Sequence, residues 1–453
     1  MAQTQSKVEN KAESNFEEKE IKSALKGSNS TITSTTNSTA SSRVQFRIFV
    51  GSYEHNLLCL SVILDPSGTK EPIFQPIFHF QAHALSIKSM DLAKRYLVTG
   101  SNDEHIRIYD LQKRKELGTL LSHQGTITAL RFSREATEEA ENASSGRWLL
   151  SGSEDGKIII WRTKDWEIFA TLKGHTDKIN DLSIHPSGRV AISVSQDKTI
   201  RLWNLMTAKK AAVLKIKGKD HLGQSGEFVK WSHTGDYFVV GLHNQVLLYK
   251  TSTAKIVKKY KFKSTVMCID LLKIDDKEWL VIGFGDGSIG FYDFETLLNN
   301  IGDDAEDQEQ KILDNKAEVI EPIFTLRGHT NRIKGITFMQ NQDTQNVPLL
   351  ISVSSDGKIV VWNLTLKDQV AVYDTGERLN CVVCAPESVE KVDTMKRRFG
   401  SLDELKGEEQ PDVSESEYET DGEEIKSIMK GPTKKGKKKS KKSKKRKVNV
   451  TLE

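Results

Sequence analysis

Cysteine is scarce: Cys59, Cys268, Cys381 and Cys384 are the only four in 453 residues. Each sits in an apolar, strand-like run, so the expectation is a reduced intracellular protein with buried thiols rather than a disulfide framework. Long hydrophobic runs are missing as well. No stretch approaches the roughly 18 apolar residues that cross a bilayer, and the first thirty residues hold no apolar block that would make a secretory signal. Catalytic signatures are absent too, with no HExxH, GxSxG or GxxxxGK[ST]. The run GSEDGK at 152–157 has the wrong spacing for a phosphate loop, and Gly283, Gly285 and Gly287 precede a strand-like run rather than a helix. Cys381 and Cys384 form a CxxC, but residues three apart in a strand face opposite sides, which is poor geometry for a metal. The sequence therefore nominates no catalytic residue, no metal and no cofactor.

What is present is repetition. The stretch 173–205, KGHTDKINDLSIHPSGRVAISVSQDKTIRLWNL, reads as three short strands with alternating apolar residues, separated by turns. Copies of it lie at 82–111, 122–163 and 328–364. The aromatic near the end of each unit falls at Tyr109, Trp161, Trp203, Tyr249, Tyr292 and Trp362. Most of these gaps are close to the period of about 40–45 residues that marks four-stranded propeller blades. The two longest gaps contain insertions, at 134–146 and 299–318.

Each good copy carries the same four polar or amphipathic types. His175, Ser193 or Ser195, Asp197 and Trp203 form one set; His123, Ser151 or Ser153, Asp155 and Trp161 a second; His329, Ser352 or Ser354, Asp356 and Trp362 a third. Buried polar groups persist only when each finds a partner, so these sets are expected to hydrogen-bond in series inside their blades. Once-per-blade recurrence, with His83 as a fourth case, favours a structural role for the histidines over metal binding. The units ending at Tyr249 and Tyr292 lack the histidine and are expected to pack less uniformly.

The repeat dictates an all-β, seven-bladed propeller over 43–385. Residues 44–81 supply only three strands of the first blade, and the unclaimed run LNCVVCA at 379–385 supplies the fourth, because an open ring would leave strand edges unpaired. Residues 1–42 are polar and too poor in apolar surface to offset ordering entropy, so a disordered tail is expected there. Residues 386–453 form a second expected tail, first acidic, with eleven Asp and Glu in 401–424, then basic. Its stretch 430–447 carries twelve cations and no acid, so the net charge of +4 leaves −8 for the remainder.

That block, with Lys434, Lys435, Lys437, Lys438, Lys439, Lys441, Lys442, Lys444, Lys445, Arg446 and Lys447, reads as a nuclear or nucleolar address or as an RNA-backbone contact. It has no interleaved aromatics, so its RNA binding would be salt-sensitive and blind to sequence. Ser414, Ser416 and Thr420 each have a glutamate three residues on, as acidophilic-kinase sites do. Two further basic clusters, Lys113 to Lys115 and Lys209 with Lys210, are expected on exposed loops.

The units resemble WD repeats, with Trp-Arg, Trp-Asn or Tyr-Asp as the terminal dipeptide of the well-marked ones. Beyond the general repeat, GSYEHNLL, AHALSIKSM, VTGSNDEHIRIYDLQKRKELGTLLSHQGTITAL, SGSEDGKIIIWRTKDWE and the lysine-rich end resemble the maintenance-of-killer and PAK-interacting-protein-like WD-repeat family. The resemblance implies a non-catalytic scaffold in the nucleolus, acting in 60S large-subunit assembly and ribosomal RNA processing. Its implied partners are pre-ribosomal large-subunit proteins and assembly factors, with pre-rRNA reached through the basic tail, and a monomer within a larger particle. It also implies an alternative, an adaptor that negatively regulates a PAK-type kinase. No membrane partner is implied.

Overall fold

A computed structural model describes residues 44–65, 71–134, 146–218, 223–274, 276–299, 316–340 and 347–389. All of them lie in the first of two compact units, Met1–Thr394 and Met395–Glu453. The expected tail 1–42, nearly all of the tail 386–453 with its lysine block, and most of both insertions lie outside the described residues.

The described strands form seven sheets. Sheet one joins β1 (Val44–Ser52), β2 (Asn56–Leu64) and β3 (Ile73–Gln81); sheet two holds β4 (Ile87–Ala93), β5 (Tyr96–Ser101), β6 (Ile106–Asp110) and β7 (Lys115–Leu120). Sheet three holds β8 (Ile127–Phe132), β9 (Trp148–Ser153), β10 (Ile158–Arg162) and β11 (Glu167–Leu172), and sheet four β12 (Ile179–Ile184), β13 (Val190–Ser195), β14 (Thr199–Asn204) and β15 (Lys209–Lys215). Sheet five holds β16 (Phe228–Trp231), β17 (Tyr237–Gly241), β18 (Gln245–Lys250) and β19 (Lys255–Lys261). Sheet six is built from β20 (Val266–Ile274), β21 (Lys277–Phe284), β22 (Ser288–Asp293) and β24 (Phe324–Arg327), and between β22 and β24 in the chain come the short helix α1 (Phe294–Asn299) and β23 (Glu318–Val319), which pairs elsewhere. Sheet seven holds β25 (Ile333–Gln340), β26 (Pro348–Ser354), β27 (Lys358–Asn363) and β28 (Asp368–Asp374), and the chain then returns to sheet one as β29 (Leu379–Pro386).

Innermost strands touch in the closed cycle β4, β8, β12, β16, β20, β25, β29 and back to β4. This is the all-β, seven-bladed propeller read from the repeats. Strand β29 pairs antiparallel with β1, Arg47 opposite Ala385 and Phe49 opposite Val383, so the first blade takes its inner strand from the far end of the fold.

The apolar core is divided into seven clusters, each shared between two neighbouring blades. Both faces of a blade are therefore covered. That is why the middle strands β9 and β13 are buried at five consecutive positions, instead of showing one wet face, while alternation survives weakly in the outermost strands β7, β11 and β15. A tryptophan such as Trp203, almost wholly buried, contributes on the order of 2–3 kcal/mol by burial alone. The turn between second and third strands needs a left-handed residue: Gly287 has φ +84°, and a Cβ there would lie 2.5 Å from the carbonyl oxygen of His329 in the next blade. Glycine both makes that turn and lets the next blade approach.

One reading from sequence is corrected and two are refined. Lys209 and Lys210 begin strand β15 and are not in a loop, because the turn closes earlier, at Ala208, whose φ is +52°. The insertion at 299–318 ends in a strand: Glu318 and Val319 pair in parallel with Tyr260 and Lys261 and give sheet five a fifth strand. The thiols are buried as read: Cys59 and Cys268 are buried residues, and Cys381 and Cys384, half-buried as residues because β29 lines the axial channel, still point their sulfurs into the packing.

Candidate functional site

The polar sets come together as the repeat demands. In blade four, Trp203 Nε1 donates to Ser193 Oγ at 2.8 Å, Ser193 Oγ lies 2.7 Å from His175 Nε2, and His175 Nδ1 lies 2.8 Å from Asp197 Oδ2. An indole N–H can only donate and a carboxylate can only accept. With a neutral ring, Nδ1–H therefore donates to Asp197 and Nε2 takes the serine hydroxyl proton. Blade three repeats the series through Trp161, Ser151, His123 and Asp155 at 2.8, 2.8 and 3.2 Å. Blade seven does so through Trp362, Ser352, His329 and Asp356 at 2.8, 2.8 and 3.1 Å. In blade two Thr99 takes the serine's place, 2.8 Å from His83 Nε2, and His83 Nδ1 lies 3.0 Å from Asp103.

The serine pair left open by the sequence is thereby divided. The first serine is in the relay, whereas the second ties down a loop: Ser153 Oγ donates to the Gly125 carbonyl at 2.8 Å, and Ser354 Oγ to that of Asn331 at 3.1 Å. Each relay aspartate also ends its turn by accepting backbone amides, as Asp197 does from Thr199 at 2.9 Å and Thr176 at 3.2 Å.

Electrostatics agree with a neutral histidine beside an ionised aspartate. Burial holds His83, His175 and His329 below the ordinary imidazole value, outweighing the pull of Asp103, Asp197 and Asp356. Burial opposes ionisation of Asp155, but the His123 hydrogen bond and the amides of Lys157 and Gln124 outweigh it and bring the carboxyl down to about 2. The rings of His83, His175 and His329, held neutral and sealed inside their blades, serve packing.

Blades five and six, without the histidine, substitute aromatic contacts. Tyr249 stacks on Phe238 with ring centroids 4.9 Å apart, and Tyr292 meets Phe262 edge-on at 5.4 Å. Asp286 keeps the turn position in blade six but accepts from Ser264 Oγ at 2.8 Å.

Around the channel, acids on inner strands stitch one blade to the next. Asp91 accepts the Phe132 amide at 2.7 Å, Asp181 accepts the Val229 amide at 3.1 Å and pairs with Arg131 at 3.1 Å, and Asp270 pairs with Lys230 at 3.0 Å. Closure has its own pair: Arg47, 1% exposed, is gripped by Glu387 through Nε at 3.1 Å and Nη2 at 2.6 Å. Sequence reading missed Glu387. In the CxxC, Cys384 Sγ contacts Thr337 Oγ1 and the Phe338 carbonyl of blade seven, while Cys381 Sγ lies toward Gly51 and Ile87. Burial pushes the thiols of Cys268 and Cys381 up to about 12 and that of Cys384 upward. Among the described residues no group of three or more His, Cys, Asp or Glu could hold a metal, and no helix is long and apolar enough to cross a membrane. Lys434 to Lys447 lie outside the described residues.

The family model for the WD domain, G-beta repeat, matches residues 74–110, 114–162, 166–204 and 320–363. Across 423 residues the chain is 51% identical to Protein MAK11 of Saccharomyces cerevisiae, covering 90% of this chain and 98% of that protein. The chain belongs to the MAK11 and PAK-interacting-protein-like family of WD-repeat proteins. Within this family it is 31% identical to the p21-activated protein kinase-interacting protein 1-like protein of Danio rerio, over 69% of this chain and 74% of that one. It is also 24% identical to the Shk1 kinase-binding protein 15 of Schizosaccharomyces pombe, over 82% and 95%. The repeat model leaves 205–319 unmatched. That interval holds blade five and the first three strands of blade six, the two blades without a histidine relay. Matches also begin on an outer strand and end on the third strand of the next blade, so a sequence repeat straddles two blades. The family's defining polar residues thus specify a WD-repeat scaffold.

Proposed function

We propose that this scaffold works in the nucleolus, in assembly of the large ribosomal subunit and processing of its RNA, without catalysing a reaction. The observation that carries the reading is the division of charge. Twelve cations and no acid fall in 430–447, whereas the propeller stretch 43–385 mixes acids and bases, so the densest attraction to RNA phosphate sits on one tether and the propeller is left chiefly for protein contacts. The resemblance of the lysine-rich end and the repeats to a family of large-subunit assembly factors supports the same reading. The titratable groups of the relays and the channel acids are engaged in folding, which leaves surfaces rather than a reaction centre as the working parts. Sedimentation of the tagged protein on a gradient tests it: migration with large-subunit precursors, lost after RNase, is expected. A free, RNase-indifferent protein would refute it.

A second reading is favoured by the relatives' names, which describe kinase-interacting and kinase-binding proteins. In it the propeller is an adaptor that restrains a PAK-type kinase. It requires a stable, RNase-resistant complex with the kinase.

A further inference from the structure

Between blades three and four lies a cavity of about 500 Å³ that neither the relays nor the channel uses. Its walls are apolar: Trp148 and Phe169 meet with ring centroids 4.8 Å apart, and Leu205 and Met206 face them from the next blade. Phe169 is 49% exposed and Met206 71%, on a surface whose comparable side chains are mostly tucked between blades. Scattered exposed apolar residues need no explanation, but several converging on one concave site with aromatic and methionine walls have the make-up of a recognition pocket.

The polar members of the rim say what enters. Arg147 and Arg189 both line the cavity, and no acid does. Arg147 stands over the Trp148 ring, 5.8 Å from its centroid. The nearby acids Asp165 and Glu167 do not serve these arginines, because both are held by Arg162, which bonds Glu167 at 3.3 Å. Two guanidinium groups beside an apolar hollow complement a carboxylate next to an apolar side chain, and a guanidinium can grip a carboxylate bidentately.

We propose that this groove is a docking site for a short acidic segment of a partner protein, one large apolar side chain entering between Trp148 and Met206 while neighbouring Asp or Glu side chains pair with Arg147 and Arg189. The inference goes beyond the function proposed above, and it stands whichever particle or kinase the scaffold serves.

A randomised peptide library displayed on phage and selected against the full-length protein tests it. Enriched peptides are expected to carry Phe, Trp, Leu or Met beside Asp or Glu. Synthetic versions should bind the Phe169→Ala variant and the Arg147→Glu, Arg189→Glu double variant at least about tenfold more weakly than the parent. All three altered positions are exposed, and unchanged melting of the variants confirms that the fold is intact. The proposal is overturned if enriched peptides lack acids or ignore these variants. It is equally overturned if the double variant loses RNA rather than peptide, or if the variants dissolve a self-association of the parent. Peptides that bind only after 135–145 is replaced by a Gly-Ser linker would assign the groove to the chain's own insertion instead.

Discussion

Replacing Asp197 with alanine removes four hydrogen-bond partners at once. The carboxylate takes His175 Nδ1–H at 2.8 Å, the Thr199 hydroxyl at 2.6 Å and the amides of Thr199 and Thr176 at 2.9 and 3.2 Å. Thr176 is exposed, so water replaces that bond at little cost. The His175 side chain is fully buried and has no such recourse. Leaving a buried donor unsatisfied costs about 1–3 kcal/mol, and losing the turn amide adds about 1, giving roughly 3 kcal/mol. Unfolding entropy of about 2.1 cal/mol/K per residue gives roughly 0.7 kcal/mol/K for a domain of this size, so melting is expected to fall by about 4 °C. Trp203 keeps its bond to Ser193, and indole fluorescence at low temperature should therefore stay native. Asp286→Ala, at the same turn position but with no histidine to orphan, is the control and should cost less than half as much. Calorimetry of both decides the matter. Equal melting of Asp197→Ala and the parent, or a larger loss for Asp286→Ala, would refute the relay argument.

Glu387→Ala breaks a part-buried, bidentate pair to Arg47 and is expected to cost about 2 kcal/mol; a chain ending at Pro386 should melt as low as this variant, and one ending at Thr394 like the parent. Equal melting of all three would remove Glu387 from the closure. In acid, two losses are expected with the same sign. Below the ordinary histidine value of 6.5, unfolded chains take protons that His83, His175 and His329 refuse when folded. Below the ordinary aspartate value of 3.8, the stability supplied by Asp155 is lost as pH falls toward its folded value of about 2. A melting temperature that rises or stays level from pH about 7.5 to about 5.5 would contradict the neutral-histidine assignment. Deleting 430–447 should weaken nuclear retention and flatten the salt dependence of the remaining RNA association while leaving propeller melting unchanged; an unaltered salt slope in filter binding would count against the tether.

Much of the fold was legible because a relay must be complete to be buried. His175, Asp197 and Trp203 mark the blade ends without any knowledge of partners. The serines were ambiguous, because Ser193 and Ser195, two apart in a strand, share a face and only the pairing register decides which one meets the histidine. Glu387 was not legible: a single glutamate past the last strand gives no sign of an arginine 340 positions earlier. The alternation identified the runs as strands, but it carried no sign that both faces of the middle strands β9 and β13 are covered; only the packed ring shows that they are. The groove was hidden for a related reason. Trp148 and Phe169 look like core residues in a strand pattern, and it is the separation of blades three and four near the 186–189 turn that leaves them open.

The central claim, a scaffold on the large-subunit branch, is tested most directly by depleting the protein and separating ribosomal subunits on a gradient while following their RNA precursors. A deficit of free large subunits is expected, with small subunits in relative excess and large-subunit RNA precursors accumulating. An unchanged subunit ratio and unchanged precursors, together with raised kinase signalling, would contradict it and leave the adaptor in its place.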